Sequence, residues 1–152
     1  MSSNIPDTFN TSTEEIYSII KSASSPIDIL KRMCYVMNGE FYFDYRYFKP
    51  IGSPEIYQEL LTYIVNEMRV LEPHVEKFTC HVCLKGLSIK ELDKHSQYIK
   101  LISQTLDNTF PNKLSKCYIY NVSSIFTYLF KILGYFVDKA TLSKVTLVDF
   151  NK

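Results

Sequence analysis

The fold is decided by residues 83–148, whose sequence is CLKGLSIKELDKHSQYIKLISQTLDNTFPNKLSKCYIYNVSSIFTYLFKILGYFVDKATLSKVTLV. This stretch starts at the end of an apolar strand and predicts a helix, a strand, a second helix and a third strand in turn. Ser88 and Glu91 have the spacing of a capping box that opens the first helix, and Phe110-Pro111 ends it. The alternation of strands and helices predicts an α/β fold, with a mostly parallel sheet flanked by helices.

This stretch and the residues just before it predict three apolar strands and an aromatic helix. Residues 77–84, 117–122 and 145–148 predict the strands, and we expect them to be neighbours in one sheet. Residues 125–136 predict a helix that is apolar almost all the way round. Such a helix must contact apolar material on more than one side. It is therefore a core or dimer-interface helix, or it covers a ligand cavity.

The N-terminal region predicts a tail and two short helices. We expect residues 1–10 to be a disordered tail. Ser12 and Glu15 have capping-box spacing at the start of a first helix, and Ser25-Pro26 starts a second helix that should end at Asn38-Gly39. The sequence thus predicts a polar tail and short helical region at residues 1–38.

The rest of the chain predicts the main domain, residues 39–152, with helices on both faces of its sheet. Residues 40–48 alternate as a further strand. Ser53-Pro54 opens an amphipathic helix, which Glu72-Pro73 ends. Together with the three strands described above, this gives a sheet of four to five strands.

Composition is that of a globular domain. The 152 residues are 46% hydrophobic and 22% charged, with 12 Tyr and 10 Phe. No apolar run approaches the roughly 18–20 residues that cross a bilayer. The N-terminus also lacks the basic and apolar layout of a signal peptide. We therefore expect a cytoplasmic protein whose four cysteines are reduced.

Charge is unevenly distributed along the chain. Residues 1–84 carry 7 Lys and Arg against 11 Asp and Glu, whereas residues 85–152 carry 10 against 5. A basic half suits an anionic membrane surface or a phosphorylated headgroup. A solvated, lysine-rich surface would give the same count, so both interpretations stay open.

The sequence predicts neither a metal site nor a catalytic site. Cys80 and Cys83 have a zinc-type spacing, but on a strand they point to opposite faces, and no second pair supplies the remaining ligands. The buried thiols are expected to behave as small apolar groups. No nucleophile motif, phosphate-binding loop or dinucleotide-binding motif is present. We predict a protein that is not an enzyme and has no cofactor.

Four short motifs occur in order between Leu84 and Val145. They are Leu84-Lys85-Gly86, Phe110-Pro111, Tyr118-Ile119-Tyr120-Asn121 and Asp138-x-x-Thr141-x-x-Lys144-Val145. In order and spacing they resemble the CRAL-TRIO lipid-binding domain of phosphatidylinositol, retinaldehyde and tocopherol transfer proteins. That family has Asp-Leu-Lys-Gly, Tyr-Pro-Glu-Arg, a strand ending in Asn, and Leu-Asp-Pro-x-Thr-x-x-Lys-Ile. The resemblance implies an α/β lipid-binding fold.

The resemblance also implies a ligand site. Thr141 and Lys144 match family positions that contact the inositol phosphate, and a Lys ammonium with a Thr hydroxyl suits a phosphate. Asn112 stands where the family has the supporting acid of its Pro-Glu motif. The aromatic helix matches the family's gate over the lipid, which makes Phe126 and Phe130 expected ligand contacts.

The C-terminus departs from the family pattern. The family domain continues with another helix past the strand that matches Val145–Val148, whereas this sequence ends at Lys152. We therefore expect a truncated, divergent member. Its pocket would be smaller, more open, completed by a partner, or lost.

The preferred function is binding of a hydrophobic ligand, most plausibly a phospholipid such as a phosphoinositide. Transfer between membranes and peripheral association with a membrane surface would accompany it. The alternative is a degenerate CRAL-TRIO-like domain without a lipid cavity, whose aromatic surface binds a protein partner. We expect no nucleic acid among its partners.

Overall fold

The structure is a computed structural model that describes residues 6–121 and 125–148. Its centre is a sheet in the order β1-β2-β3-β4-β5, in which β1 and β2 are antiparallel and the other neighbours are parallel. The strands are Cys34–Met37, Glu40–Asp44, Phe78–Cys83, Leu114–Tyr120 and Val145–Val148. The three strands predicted from residues 77–148 are indeed neighbours, so the mostly parallel α/β fold is confirmed. Val122, the predicted end of β4, lies outside the described residues.

Helices connect the parallel strands. In chain order, α1 to α8 are Thr13–Ser22, Pro26–Met33, Tyr45–Phe48, Tyr57–Leu71, Ile89–Lys94, Ser96–Thr109, Phe126–Leu133 and Lys139–Leu142. Short 3-10 helices lie at Asp7–Asn10, Pro54–Ile56 and Glu72–His74. No helix in the described ranges is both long enough and apolar enough to cross a membrane.

The predicted end of α2 at Asn38-Gly39 is wrong. The helix ends at Met33, and β1 turns back into β2 through Asn38 and Gly39, whose φ angles are 53° and 76°. Two consecutive residues with positive φ form the two-residue hairpin turn that matches the twist of paired strands. Asn-Gly signals both a helix end and a hairpin, and here the β-favouring Tyr35 and Val36 precede a hairpin.

Strand β2 is shorter than predicted. It ends at Asp44, whose carboxylate accepts a hydrogen bond from the backbone N–H of Arg46 at 3.0 Å. This bond caps the single turn of α3, so Tyr45–Phe48 is helical rather than extended. Residues 45–48 continue the alternating sequence pattern of the strand. All four side chains are nevertheless buried, so the pattern does not separate a buried face from an exposed one here.

The predicted long helix after Ser88 is divided in two. Ser88 accepts from the backbone N–H of Glu91 at 3.1 Å, and α5 runs to Lys94. His95 has φ −100° and ψ 15°, which is outside helical geometry, and α6 then continues to Thr109. His95 is therefore the residue between the two helices, and its side chain is buried.

The two faces of the sheet have different covers. Cys80 packs in the main core with α4 and α6, while Cys83 packs on the opposite face beside Tyr42 and Tyr120. The two thiols therefore point to opposite faces, as predicted. No group of three or more potential metal ligands occurs in residues 6–121 and 125–148. The cluster around Cys83 draws on strands and on Phe9 and, among the described residues, on no α-helix. The expectation of helices on both faces is therefore wrong, because the α-helices of the core clusters pack on the face of Cys80.

Residues 6–10 are ordered, which contradicts a disordered tail over this part of residues 1–10. Phe9 is 1% exposed and packs edge-on against Tyr42 and Tyr120. The buried Arg46 holds this segment in place by donating to the carbonyl oxygens of Thr8, Phe9 and Thr11. An aromatic anchor and an arginine clamp thus fix a segment whose polar sequence gave little sign of order.

Candidate functional site

A cavity of about 420 Å³ lies between the sheet and the helices on its main-core face. Strands β2, β3 and β4 form its floor, with Phe43, Val82 and Ile119 among the floor side chains. Helices α4, α6 and α7 form its walls. Pockets of roughly 300–1,000 Å³ with mostly apolar walls and a few polar groups are typical of small-molecule sites.

Polar side chains meet at one end of this cavity. Asn112, Lys113, Asp138, Thr141 and Lys144 all contribute to its lining. Asn112 and Lys113 directly precede β4, and Lys144 directly precedes β5. Since β4 and β5 are parallel neighbours, the residues before them lie at the same edge of the sheet. Two lysines, a hydroxyl, an amide and a carboxylate therefore share one end of an apolar cavity.

Helix α8 fixes the position of Thr141 at this end. The Asp138 carboxylate accepts from the backbone N–H of Thr141 at 2.7 Å, which caps the helix. This backbone hydrogen bond, with a smaller contribution from the Lys144 ammonium, lowers the pKa of Asp138 below its usual range. The backbone N–H of Lys144 in turn donates to the carbonyl oxygen of Thr141 at 3.0 Å. The motif Asp138-x-x-Thr141-x-x-Lys144 is thus one locally bonded unit.

Asn112 has a conformational reason to be asparagine. Its φ is 57°, in the left-handed region, where asparagine is tolerated far better than most side chains. The backbone N–H of Lys113 donates to the carbonyl oxygen of Phe110, which closes this turn just before β4. The neutral amide replaces the acid of the resembled motif, so this end of the cavity carries one negative charge fewer.

The structure brings three of the five predicted site residues to the cavity. Thr141, Lys144 and Asn112 line it, whereas Phe126 and Phe130 are not among its lining residues. Their two rings instead pack together, with centroids 5.3 Å apart.

Helix α7 presents a different pair to the cavity. Leu129 and Leu133 line it, one turn apart on the adjacent side of the helix. Because this helix is apolar nearly all the way round, the sequence pattern could not tell which side meets the cavity. Phe126 and Phe130 were predicted because the helix matches the family's gate and the two residues lie one turn apart on one side. Phe136, beyond the end of α7, also contributes to the lining.

Several polar residues of the lining were not predicted, and Lys113, His95 and Tyr98 are three of them. Lys113 could have been found, because it stands where the Tyr-Pro-Glu-Arg pattern has its arginine. His95 and Tyr98 also line the cavity and are 4% and 5% exposed. No sequence signal shows that either side chain meets a cavity.

Two thiols lie side by side in the floor. Cys80 and Cys117 are register partners on β3 and β4, and both line the cavity. Burial raises the pKa of Cys117 to about 12, and burial likewise raises the pKa of Cys80. Both thiols are therefore protonated at neutral pH and act as small apolar groups in the floor.

Two comparisons with known proteins bear on this arrangement. The fold is similar to a solved structure described as the crystal structure of Sfh5, with a TM-score of 0.65 and 15% sequence identity. This match covers 88% of the present chain and 55% of the Sfh5 chain, so the present chain spans little more than half of that relative's length. The CRAL/TRIO domain family matches residues 28–152. Because that match includes most of the sequence, the chain belongs to the CRAL/TRIO domain family of lipid-binding domains.

Proposed function

We propose that this chain binds a phospholipid in the cavity, with the headgroup at the polar end and acyl carbons against the apolar walls. The observation that carries the proposal is that Asn112, Thr141 and Lys144 line the same cavity as the apolar floor and walls. Burial of acyl carbons contributes roughly 25 cal/mol per Å², and the polar groups select the headgroup.

A phosphoinositide is the headgroup that fits these polar groups best. The Lys144 ammonium would pair with a phosphate oxygen. Lys113, whose Nζ donates to the carbonyl oxygen of Glu76 at 3.3 Å, would supply a second ammonium group by releasing that bond. The Thr141 hydroxyl and the Asn112 amide can both donate to and accept from inositol hydroxyls. Because Asn112 is neutral, it does not repel a phosphate as a carboxylate would.

We further propose that the protein transfers this lipid at a membrane surface and acts without catalysis. Helix α7 covers the cavity with Leu129 and Leu133. Phe126 and Phe130 lie on the adjacent side, where they contact the membrane or the incoming lipid when the helix moves aside. The excess of basic residues after position 84 suits an anionic membrane.

The alternative of a protein-interaction module receives less support. It supposes that the domain lacks a lipid cavity, whereas a cavity of about 420 Å³ is present. The large apolar side chains most exposed on the described residues lie on different elements: Tyr17, Ile27, Met37, Val70, Ile89 and Tyr135. Their scatter supports the cavity rather than the surface as the binding site.

A charge reversal at the polar end tests the proposal. We expect Lys144→Glu to weaken binding to phosphatidylcholine vesicles that contain a phosphoinositide by about 1–3 kcal/mol, the value of a charge-assisted contact. Lys116→Glu is the matched control, because Lys116 is exposed on β4 and is not part of the lining. Circular dichroism checks that both variants are folded. Equal binding by the two folded variants would contradict the proposed headgroup site.

A further inference from the structure

The volume of the cavity is too small for a lipid with two long acyl chains. A protein cavity of about 150 Å³ holds one benzene molecule, which corresponds to about 25 Å³ for each heavy atom. At this density the volume of about 420 Å³ holds about 17 heavy atoms. One oleoyl chain, with about 18 carbons, matches this capacity, whereas two such chains exceed it about twofold. The volume therefore admits one chain.

The cavity is also long and narrow. Alternate side chains along β3 and just beyond its end all line it: Phe78, Cys80, Val82 and Leu84. At about 3.3 Å per residue it follows the strand for about 20 Å, so its mean cross-section is about 21 Å². That area is a square about 4.6 Å wide, and carbon atoms in contact lie about 3.5–4.0 Å apart. One chain of methylene groups fills this width, and two chains side by side do not fit.

The polar end of the cavity is open to solvent. Asn112 and Asp138, which line this end, are both exposed. The same end adjoins the start of β3, because the backbone N–H of Phe78 donates to the carbonyl oxygen of Lys113 at 2.6 Å. A headgroup can therefore stay at the opening beside Lys144 and leave the volume of the cavity to the chain.

The opposite end is closed by buried side chains. Strands β2 and β3 end side by side, and Tyr45 and Phe48 of α3 follow the end of β2. These two side chains and Leu92 of α5 line the cavity and are 4%, 2% and 1% exposed, respectively. The Tyr45 hydroxyl donates to Glu91 at 2.9 Å, which holds its ring in place. The last carbons of a chain that enters from the polar end would meet these side chains, so the cavity limits the length of the chain.

We infer that the cavity selects a phospholipid with a single acyl chain, a lysophospholipid, whose chain of about 16–18 carbons extends from the open polar end to the closed end. This inference rests on the proposed function, because it names the class of lipid that the proposed site binds. A lipid with two chains places one of them in the cavity and leaves the other outside, so its second chain adds no affinity.

Two titrations test for a single chain. Oleoyl lysophosphatidylinositol and dioleoyl phosphatidylinositol are delivered from cyclodextrin, and calorimetry measures their dissociation constants. We expect the two-chain lipid to bind no more tightly than the single-chain lipid, within about 3-fold. Burial of one methylene group tightens binding about 4-fold, so a cavity that buries both chains would bind the two-chain lipid more than about 10-fold more tightly.

A series of lysophosphatidylinositols with chains of about 10 to 22 carbons tests the closed end. Wild-type affinity should rise with each methylene group up to about 16–18 carbons and then stay level or fall, because further carbons remain outside.

A tryptophan at the closed end should shorten the preferred chain. Leu87 lines the cavity next to Leu84, to whose carbonyl oxygen its backbone N–H donates at 3.0 Å. Leu87→Trp adds about six heavy atoms there and should move the maximum of affinity to a chain about six carbons shorter. Leu101→Trp is the matched control, because Leu101 is half-buried on α6 outside the lining, and it should keep the wild-type maximum.

The outcomes separate this inference from the proposed function. If the two-chain lipid binds more than about 10-fold more tightly, the selection of one chain is overturned and the phospholipid site stands. The inference is likewise overturned if wild-type affinity rises up to the longest chain, or if Leu87→Trp, shown to be folded by circular dichroism, keeps the wild-type maximum. Should this variant not fold, the wild-type series decides alone. If the wild type binds none of these lipids, the proposed function is overturned and the inference with it.

Discussion

The backbone N–H of Cys117 donates to the carbonyl oxygen of Lys144 at 2.9 Å. This bond ties a predicted headgroup residue directly to a strand of the cavity floor. Through the N–H of Lys144, which donates to Thr141, the tie extends to the second headgroup residue. Backbone hydrogen bonds therefore fix the positions of Thr141 and Lys144 relative to β4.

Substitution of Arg46 should be strongly destabilising. Its guanidinium pairs with Asp44 at 2.9 Å, and both side chains are almost fully buried. Arg46→Ala leaves the Asp44 charge unpaired and releases the carbonyls of the N-terminal segment, so we expect a loss of about 3–5 kcal/mol in the free energy of unfolding. Urea denaturation measures it. Arg69→Ala is the control, because Arg69 is exposed, and it should lower the free energy of unfolding by less than about 1 kcal/mol. Similar losses for the two variants would contradict the role of Arg46 in holding the N-terminal segment.

The hairpin turn makes Gly39 sensitive to any side chain. A Cβ at this position meets no atom within 4 Å, but the φ of 76° strains every residue that has one. We expect Gly39→Ala to lower the free energy of unfolding by about 1–2 kcal/mol. Gly134→Ala is the control, because Gly134 has helical backbone angles, with φ −61°. A Gly39→Ala variant as stable as this control would argue against the two-residue turn.

Two positions of α7 should respond differently to truncation. Leu129 is 4% exposed and lines the cavity, so Leu129→Ala should cost about 2–5 kcal/mol. Phe130 is half-buried beside Phe126, so Phe130→Ala should cost well below the roughly 3–5 kcal/mol of a core phenylalanine.

The main loss for Phe130→Ala should instead be in vesicle association. Thermal melts of delipidated protein, beside a lipid-loading assay, make the comparison. Severe destabilisation with normal loading per folded molecule would identify Phe130 as a structural residue only.

The stability of the fold should depend on the protonation of His95. Burial lowers the pKa of His95 in the folded state, whereas the unfolded chain has an ordinary value of about 6.5. Below about pH 6.5 the unfolded state therefore binds a proton that the folded state does not, and stability falls as pH decreases. The slope contributed by one group is at most about 1.4 kcal/mol per pH unit.

Urea denaturation at about pH 7.5 and about pH 5.5 measures this slope. His95→Gln should show a smaller decrease than wild type, and the other histidines are common to both proteins. An identical decrease in the two proteins would assign the pH dependence to other groups.

The order of the parallel strands could be predicted from the sequence because each signal there is local. Ser88, Phe110-Pro111 and Asp138 punctuate the chain where the structure begins or ends its elements. The errors occurred where a local signal has two meanings. The pair Asn-Gly is common both at helix ends and in hairpin turns. At Asn38-Gly39 the hairpin forms because β1 pairs with β2, which is a tertiary interaction.

The candidate site was predictable only where sequence motifs define it. Thr141, Lys144 and Asn112 belong to short motifs in the connections that lead into β4 and β5. The choice between Phe130 and Leu129 depends on how α7 is rotated against the sheet, which no periodicity in an all-apolar helix reveals. The contribution of His95 and Tyr98 to the lining depends on the packing of the surrounding rings, which no local pattern in the sequence reveals.

The most direct test of the central claim is native mass spectrometry of the protein after incubation with vesicles that contain phosphatidylinositol. The account predicts an adduct of one lipid per chain. Leu106→Trp, which fills the cavity from α6, should abolish the adduct, whereas Leu101→Trp, on the same helix but outside the lining, should retain it. Absence of any lipid adduct on the folded wild-type protein, or equal adducts on the two variants, would contradict a phospholipid cavity.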